Sequence, residues 1–416
     1  MPQNWKTYKL EDLGTVITGK TPSSKNPEQF GSHIPFVTPT DFSDYHKNVR
    51  SASRYLSAEG ANHLKSKILP SNSILVTCIG SQMGKVVVNK TEVVTNQQLN
   101  SIIPAKIVNT DFLYYKLLSI HEELRKMAGA GSTMPMLNKT DFAKIQIKIP
   151  ELLEQKSIAS ILSALDDKIE LNLQMNKTLE EMAMVLYKHW FVDFGPFQKG
   201  EFVDSELGMI PKGWEVKRMD EVLSVKDGTH DSPKRKDEGH YLITSKHIKN
   251  DIIDFSSAYR ISKEDYNKVN QRSEVDKGDI LMTMIGTVGM FYLVNSIPNY
   301  AIKNIGLFKT SEVLELKYYM FLFFNSEYSK QYINSQLAGS TQQYLTLKVL
   351  RGFPLLYPDK DVISQFNKVA TNIFCMKDAN NIENQTLTTL RDTILPKLIS
   401  GEVRIKDIEQ TIAQVL

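Results

Sequence analysis

Two segments of the chain repeat apolar residues at alternating spacings of three and four, which is the pattern of a coiled-coil seam. The first seam covers residues 158–190, and eight of its ten positions are apolar. The second covers residues 366–398 and includes two basic positions, Lys377 and Arg391. Each seam predicts one long helix, about 50 Å in length at 1.5 Å per residue.

Both seams are interrupted at their middle by two asparagines, and these occupy equivalent positions. The four residues are Asn172, Asn176, Asn380 and Asn384. A buried seam asparagine lowers stability but fixes the register when it meets a partner amide. We therefore predict that the two helices pack antiparallel, so that their middles meet and the amides pair. The alternative is that the asparagines face solvent and the seam is interrupted there.

The segment before each long helix has a different pattern. Short β-rich runs such as Ser73–Val76 and Lys85–Val88 are separated by Gly, Pro, Asn and Ser clusters, and a helical stretch is predicted at Thr110–Met127. Each segment is therefore predicted to be an α+β globular domain.

The chain repeats itself at an offset near 208 residues. Phe36–Phe42 is echoed by Leu242–Ile248, and Ile74–Gly80 by Ile280–Gly286. A period this long indicates a duplicated domain rather than a solenoid. The predicted fold is two tandem globular domains joined by two long helices in an antiparallel coiled coil, an internal repeat with pseudo-two-fold symmetry. The predicted segments are 1–150 (first domain), 151–193 (first helix), 194–358 (second domain) and 359–416 (second helix and C-terminal segment).

Composition is that of an ordinary globular protein, with 416 residues, 41% hydrophobic and 23% charged, which excludes disorder. The net charge of +3 hides a division along the chain. Residues 1–150 carry +7 and 194–358 carry +1, whereas 151–190 carry −3 and 359–416 carry −1. A nucleic-acid partner would therefore contact the globular domains rather than the coil.

Targeting signals are not apparent. The first residues lack the apolar core of a signal peptide, and the longest apolar run, Tyr318–Phe324, is far short of the ~20 residues of a membrane span. Two cysteines, Cys78 and Cys375, cannot form a disulfide framework. We expect a soluble cytoplasmic protein.

Catalytic motifs are also missing from the sequence. Gly80–Lys85 is one residue short of a phosphate-binding loop, and Val86 stands where Ser or Thr would hold magnesium. The chain contains no Pro-Pro pair, no Phe-x-Gly-x-Gly loop and no His-x-x-x-His pair. We therefore expect no catalytic residue and no metal site in this chain. A glycine turn that brings backbone amides near an anion stays open.

Several ordered motifs resemble the specificity subunit of type I restriction–modification systems. Pro211–Val216 is similar to the opening of a target recognition domain in that family, and Ile280–Gly286 to its central strand and glycine turn. Ala338–Gln342 is similar to a late Gly-Ser-Thr-Gln loop, although the first copy has Met134 where Gln is expected. Leu186–Phe194 and Leu395–Glu402 are similar to the ends of the two conserved helices.

The resemblance implies a non-catalytic DNA-binding subunit of a restriction endonuclease and adenine-N6 methyltransferase complex. Each domain would read one half of a bipartite, asymmetric double-stranded target in the major groove, and the coil would set the spacer. Two methyltransferase subunits would grip the coil, and motor–nuclease subunits would join them. S-adenosylmethionine, ATP and Mg²⁺ would be bound by those partners and not by this chain. The alternatives are a duplicated coiled-coil scaffold without DNA readout and a single-chain DNA-modifying enzyme.

Candidate DNA-binding residues fall into two groups. Base readout is predicted for side chains near the glycine turns and late loops: Lys20, Ser23, Lys25, Thr38 and Asp41 in the first domain, and Asp231, Lys234, Arg235, Lys246 and His247 in the second. Phosphate contact is predicted for the glycine turns and late loops, at Gly80, Ser81, Lys85, Gly131, Ser132, Thr133, Gly286, Thr287, Gly339, Ser340, Thr341 and Gln342.

Overall fold

A computed structural model describes residues 5–44, 47–80, 83–128, 136–249, 252–339 and 341–403. Its internal contacts define two units. The first unit contains Met1–Leu173 and Asn381–Leu416, and the second contains Gln174–Asn380. Each unit therefore holds one globular region together with one segment of each long helix. The domain boundaries named above stay a prediction.

The globular region of the first unit is built from short strands and helices. In chain order they are β1 (Lys6–Lys9), α1 (Leu10–Leu13), β2 (Gly14–Thr18), β3 (Phe30–Gly31), β4 (Ile34–Val37), β5 (Asn48–Val49), β6 (Tyr55–Leu56), α2 (Ala58–His63), β7 (Ile74–Thr77), β8 (Val86–Asn89), β9 (Val94–Thr95), β10 (Leu99–Pro104), α3 (Thr110–Ser119), α4 (His121–Met127), α5 (Lys139–Ala143) and β11 (Gln146–Ile149). The long helix α6 (Leu152–Phe191) follows.

The second unit repeats this succession. Its elements are β12 (Phe202–Val203), β13 (Ile210–Pro211), β14 (Glu215–Arg218), α7 (Met219–Val222), β15 (Val225–Asp227), β16 (His240–Ile243), β17 (Ile248–Lys249), β18 (Ile252–Ile253), β19 (Tyr259–Ile261), α8 (Lys263–Ser273), β20 (Ile280–Thr283), β21 (Phe291–Leu293), β22 (Tyr300–Ile302), β23 (Ile305–Phe308), α9 (Lys317–Asn325), α10 (Glu327–Ser335), α11 (Leu347–Arg351) and β24 (Pro354–Tyr357). The second long helix is α12 (Lys360–Ser400).

The central sheets of the two units have matching strand orders, which confirms the internal repeat. The first is β2-β10-β7-β8-β5, and the second is β15-β23-β20-β21. The four shared strands are antiparallel in both. Further small sheets are β3-β6-β4-β9 in the first unit and β19-β16-β22 in the second. Strands β1 and β11 form a two-stranded sheet in the first unit, and β14 and β24 form its equivalent in the second. Strands β12 and β13, and strands β17 and β18, form two further two-stranded sheets.

Strand β7 shows why these sheets form. All four of its residues are buried, and successive side chains enter different apolar cores, because strand side chains alternate between faces. Ile74 and Val76 belong to the core beneath α3, whereas Leu75 packs on the opposite face. Strand β20 repeats the arrangement, with Ile280 facing one core and Leu281 the other.

The helix predicted at Thr110–Met127 is divided into α3 and α4. Ile120 interrupts it with φ −107° and ψ 16°, outside the helical region. The break lets Leu117 and Leu124, on either side of it, both reach the same apolar core. Sequence periodicity did not reveal this interruption, because both halves carry helix-forming residues.

The two long helices run antiparallel, as predicted, with 40 residues in α6 and 41 in α12. In the first unit Asn172 bonds to Asn384, while Asp166 bonds to Arg391. In the second unit Asn176 bonds to Asn380. As the residue numbers on α6 rise, those of their partners on α12 fall, so the two helices are antiparallel. Over the described part of the chain, no helix has the length and apolar character to span a membrane.

Candidate nucleic-acid interface

The glycine turn and the late loop of the second unit form one surface. The Gly286 N–H donates to the Gln343 carbonyl at 3.1 Å, and the Leu345 N–H donates to the Met284 carbonyl at 3.0 Å. An isolated antiparallel bridge joins Ile285 to Tyr344. Two segments more than fifty residues apart therefore lie side by side, with Thr287, Gly339, Thr341 and Gln342 exposed along them.

The first unit brings together the same two segments. Ile79 forms a bridge with Met136, and the Leu137 N–H donates to the Cys78 carbonyl at 2.9 Å. Five predicted phosphate-contact residues lie outside the described residues: Ser81, Gly131, Ser132, Thr133 and Ser340.

The turn glycines are required by backbone conformation. Gly80 has φ +87° and Gly286 has φ +81°, in the left-handed region that favours glycine. Among the described residues, no atom lies within 4 Å of the place where a Cβ would stand at either position. The space in front of each turn is therefore open to a ligand that approaches the backbone.

The hairpin after each glycine turn is closed in the same way, but its charge differs. The Lys85 N–H donates to Thr77 Oγ1 at 2.9 Å, and the Met290 N–H donates to Thr283 Oγ1 at the same distance. Lys85 is exposed beside the first turn. Because Met290 stands at the equivalent place, only the first turn has a cation at this position.

Two predicted base-reading residues instead stabilise equivalent turns. Asp41 is 2% exposed, and its Oδ2 accepts from the Thr38 N–H at 2.8 Å and from Thr38 Oγ1 at 2.9 Å. His247 is fully buried, and its Nδ1 accepts from the Thr244 N–H at 2.9 Å. In this structure neither side chain is open to a base edge, because both hold the 3-10 turn that follows a buried strand.

Their pKa shifts agree with these roles. Burial raises the pKa of Asp41, but hydrogen bonds from Ser53 and Thr38 outweigh it and leave the pKa lowered. Burial, helped by the neighbouring Lys246 charge, lowers the pKa of His247. Asp41 is thus held as a carboxylate and His247 as a neutral acceptor.

The remaining first-unit candidates lie on an exposed loop after β2. Lys20, Ser23 and Lys25 are exposed, and the Lys20 N–H donates to the Thr95 carbonyl at 2.8 Å. The same β9–β10 connection binds the strand leading to the glycine turn, because the Cys78 N–H donates to the Gln98 carbonyl at 2.8 Å. One connection therefore anchors both the lysine loop and the turn.

A cleft of about 700 Å³ opens in the second unit between residues 229–236 and α8. Its basic lining comprises Lys234, Lys236, Lys268 and Arg272, and acidic side chains, Asp231 among them, interrupt it. Lys268 and Arg272 are four residues apart on α8 and so share one helical face. Of the predicted residues, Asp231 and Lys234 line this cleft, whereas Arg235 and Lys246 are exposed outside its lining.

Next to this cleft lies a polar cluster that the sequence analysis missed. Asp227, 4% exposed, binds Arg272 through Oδ1 and lies 3.1 Å from His230 Nε2 through Oδ2. The other nitrogen of His230, Nδ1, lies 2.7 Å from Asn304 Oδ1. An adjoining cavity of about 420 Å³ is lined by His230, Asn304 and the late-loop residue Tyr344. The cluster joins positions far apart in sequence, and no local pattern marks it.

The four seam asparagines lie between the helices. In the first unit, Asn172 is fully buried, and its Nδ2 donates to Asn384 Oδ1 at 2.9 Å and to Glu383 Oε2 at 2.8 Å. In the second unit, Asn380 Nδ2 donates to Asn176 Oδ1 at 2.8 Å. The amides thus meet across the seam instead of facing solvent. Their role in fixing register stays a prediction.

Comparisons with known proteins agree with this arrangement. The sequence model of the type I restriction modification DNA specificity domain matches residues 2–181 and again residues 211–389. The MjaIX type I restriction enzyme specificity subunit of Methanocaldococcus jannaschii is 30% identical over 423 positions, covering 98% of this chain and 95% of that protein. The HindI specificity subunit of Haemophilus influenzae is 36% identical over 195 positions, covering 45% and 40%.

A solved structure supports the fold. The S subunit of a type I restriction–modification system from M. genitalium aligns over 95% of this chain and 96% of its own, with 16% identity and a TM-score of 0.52. The chain belongs to the type I restriction modification DNA specificity family and carries its domain twice. It is a specificity subunit, the part of a type I system that recognises DNA sequence, and not the catalytic part.

Proposed function

We propose that the two globular regions read the two halves of one bipartite, asymmetric DNA target. The observation that carries this proposal is the duplicated surface of glycine turn and late loop, present in both units with different flanking side chains. Shared backbone geometry suits phosphate contact, which is common to all sequences, whereas differing side chains suit different bases.

The first half-site would meet a more basic surface than the second. Lys20 and Lys25 are exposed on the loop after β2, Lys85 is exposed beside the first turn, and residues 1–150 carry +7. In the second unit Met290 replaces the turn lysine, and the cations lie instead along the cleft beside α8. The +1 of residues 194–358 therefore includes a local group of four cations, interrupted by acidic side chains, and these cations support phosphate binding there.

Partner subunits would dock on the coil, because apolar side chains remain exposed along it. In the first unit these include Leu171, Leu173, Ile382 and Leu390, which are 47–65% exposed. In the second unit they include Met182, Val185 and Met376, which are 51–68% exposed. Exposed apolar rows of this kind mark protein–protein contacts.

We propose two methyltransferase subunits as the occupants of these rows, with motor–nuclease subunits joining the complex. Those subunits would bind S-adenosylmethionine, ATP and Mg²⁺, since the sequence of this chain lacks the corresponding motifs. The long helices would set the length of unread DNA between the half-sites, roughly one helical turn between half-site centres.

The direct test is selection of DNA from a random library by this chain assembled with its methyltransferase partner. Two short conserved blocks of unrelated sequence, separated by a fixed spacer, are expected. Protection of the library without any sequence preference would favour the scaffold alternative. Methylation or cleavage by the purified chain alone would favour the single-chain enzyme.

A further inference from the structure

The asparagine pairs do not distinguish one long helix from the other. A shift of 208 residues carries Asn172 onto Asn380 and Asn176 onto Asn384. Two copies of α6, or two copies of α12, could therefore form the same amide pairs in the same antiparallel register. The choice of α6 as the partner of α12 must come from other residues.

Charged pairs supply this asymmetry, beginning in the first unit. Arg391 Nη1 on α12 lies 2.8 Å from Asp166 Oδ1 on α6, and the two side chains are 11% and 1% exposed. Asp166 also accepts a hydrogen bond from the Tyr115 hydroxyl at 2.6 Å, and Arg391 also contacts Asp392. The pair is thus buried, oriented and satisfied, the state in which an ion pair discriminates most strongly between partners.

A second pair with the same polarity lies in the second unit. Lys377 Nζ on α12 lies 2.6 Å from Glu180 Oε1 on α6. The lysine side chain is 9% exposed, whereas the glutamate is 48% exposed. Solvent screens this contact more than the first one, so its main effect is to give the buried lysine a counter-charge. Both seam cations therefore belong to α12, and both of the carboxylates that they meet across the seam belong to α6.

The equivalent positions in the repeat carry no such charges. In α6, Ala183 and Ile169 stand where α12 has Arg391 and Lys377. In α12, Phe374 and Thr388 stand where α6 has Asp166 and Glu180. Ala183 and Phe374 are both buried in the apolar core of the second unit, and Ile169 is buried in the first unit. The buried ion pair of the first unit, Asp166 with Arg391, therefore has apolar residues, Ala183 and Phe374, at the equivalent positions of the second unit.

We propose that α12 is built to pair with α6 and to reject a second copy of itself. In an α12–α12 pair, Arg391 would face Phe374 and Lys377 would face Thr388, once in each half. Four buried cations would therefore lose their carboxylates across the seam, and Arg391 would keep only the exposed Asp392 of its own helix. An α6–α6 pair would place Ala183 against Asp166 and Ile169 against Glu180, so two buried carboxylates would lose their arginine but no cation would be buried. The order of preference is therefore α6–α12 first, α6–α6 second and α12–α12 last, because unpaired buried charges discriminate against the wrong partner.

The first experiment measures the coupling in the full-length chain. Asp166→Asn, which keeps an acceptor for Tyr115, is combined with Arg391→Met in a double-mutant cycle followed by denaturant unfolding. Each single change should lower the folded-to-unfolded ratio on the order of a hundredfold, since it leaves one buried partner unmatched. The double variant should be no less stable than the worse single variant. The exposed neighbour Asp167→Asn is the matched control and should change little. Additive effects would overturn the proposal.

The second experiment measures selection between helices. A protease site placed in the exposed residues 198–201 allows the folded full chain to be cut once, between α6 and α12. Two preparations of different mass are then mixed, allowed to exchange and examined by native mass spectrometry. Pairs of unlike halves should dominate, pairs of first halves should be minor, and pairs of second halves should be missing.

The matched variant gives α12 the residues of α6 at the two positions, through Lys377→Ile with Arg391→Ala. Pairs of second halves should then appear. Their presence in the parent protein at the level of unlike pairs would contradict the proposal, and so would their continued absence from the variant. The double-mutant cycle uses the uncut chain, so it tests the proposal independently even if a separated half is unstable.

Discussion

At the scale of single residues, the same turn is closed by a carboxylate in one unit and by an imidazole in the other. Asp41 and His247 are equivalent under the repeat, and each accepts from the threonine three positions earlier. The carboxylate keeps its role while ionised, whereas the imidazole accepts only while Nδ1 is unprotonated. The two units should therefore respond differently to acid.

We predict that His247 makes the stability of the second unit depend on pH near neutrality. Its pKa in the folded state is lowered from the ordinary 6.5, so its contribution is complete above 6.5 and is lost as the pH falls from there through the folded value. The protection factors of residues 244–249, which correct for the intrinsic pH dependence of amide exchange, should fall over that range. His247→Asp, which copies the first unit, should move the loss to below about pH 4, because the ordinary pKa of Asp is 3.8. An unchanged profile in this variant would refute the assignment.

A second prediction concerns the phosphate contacts of the cleft. Lys234→Ala should weaken DNA binding similarly for all sequences and reduce the slope of log K against log salt by about 1, since one fewer counterion is released. Salt titration of DNA affinity in the assembled complex measures this slope. Lys199→Ala, at an exposed lysine outside the cleft lining, is the matched control and should leave the slope unchanged.

At the scale of elements, sequence periodicity predicted the helices and strands whose formation is determined by a local repeat of apolar residues. The seams predicted both long helices and their direction. The predicted β-rich runs at Ser73–Val76 and Lys85–Val88 lie within one residue of the ends of β7 and β8. The junction of glycine turn and late loop was not predictable, because its bridge from Ile285 to Tyr344 joins segments that no local pattern connects. The Asp227, His230 and Arg272 cluster escaped for the same reason.

Burial was the other property that the sequence could not supply. Asp41 and His247 look like exposed polar residues in a loop, and only the three-dimensional structure shows each turned inward onto its own backbone. Side chains of this kind can either read a base or stabilise a turn, because both roles use the same acceptors.

The seam asparagines lead to a third prediction. Replacing all four with leucine should raise the unfolding midpoint, because buried amides give way to apolar contacts, and should broaden the accepted spacer, because nothing then fixes the register. Methylation of targets whose spacer is lengthened or shortened by one base pair measures the register effect. A more stable coil with an unchanged spacer preference would contradict the register role.

At the scale of the whole molecule, the net charge of +3 is the sum of unlike segments. Residues 1–150 carry +7, residues 194–358 carry +1 and residues 151–190 carry −3, so the positive charge suited to DNA is concentrated in the first globular region. Duplication supplied two similar surfaces, and we propose that the divergence of their side chains gives them different base preferences. The chain as a whole therefore suits an asymmetric target more than a palindrome.

The central claim is that each unit reads its own half of one target, and one measurement tests it most directly. Sites selected from a random DNA library are compared between the parent chain and a variant of the second unit, each assembled with the methyltransferase partner. The variant carries Arg235→Ala and Lys246→Ala, at two exposed residues predicted to read bases. The parent should select two unrelated blocks at a fixed spacing, and the variant should relax one block while keeping the other and the spacing. Equal relaxation of both blocks, or a single palindromic site in the parent, would contradict the account.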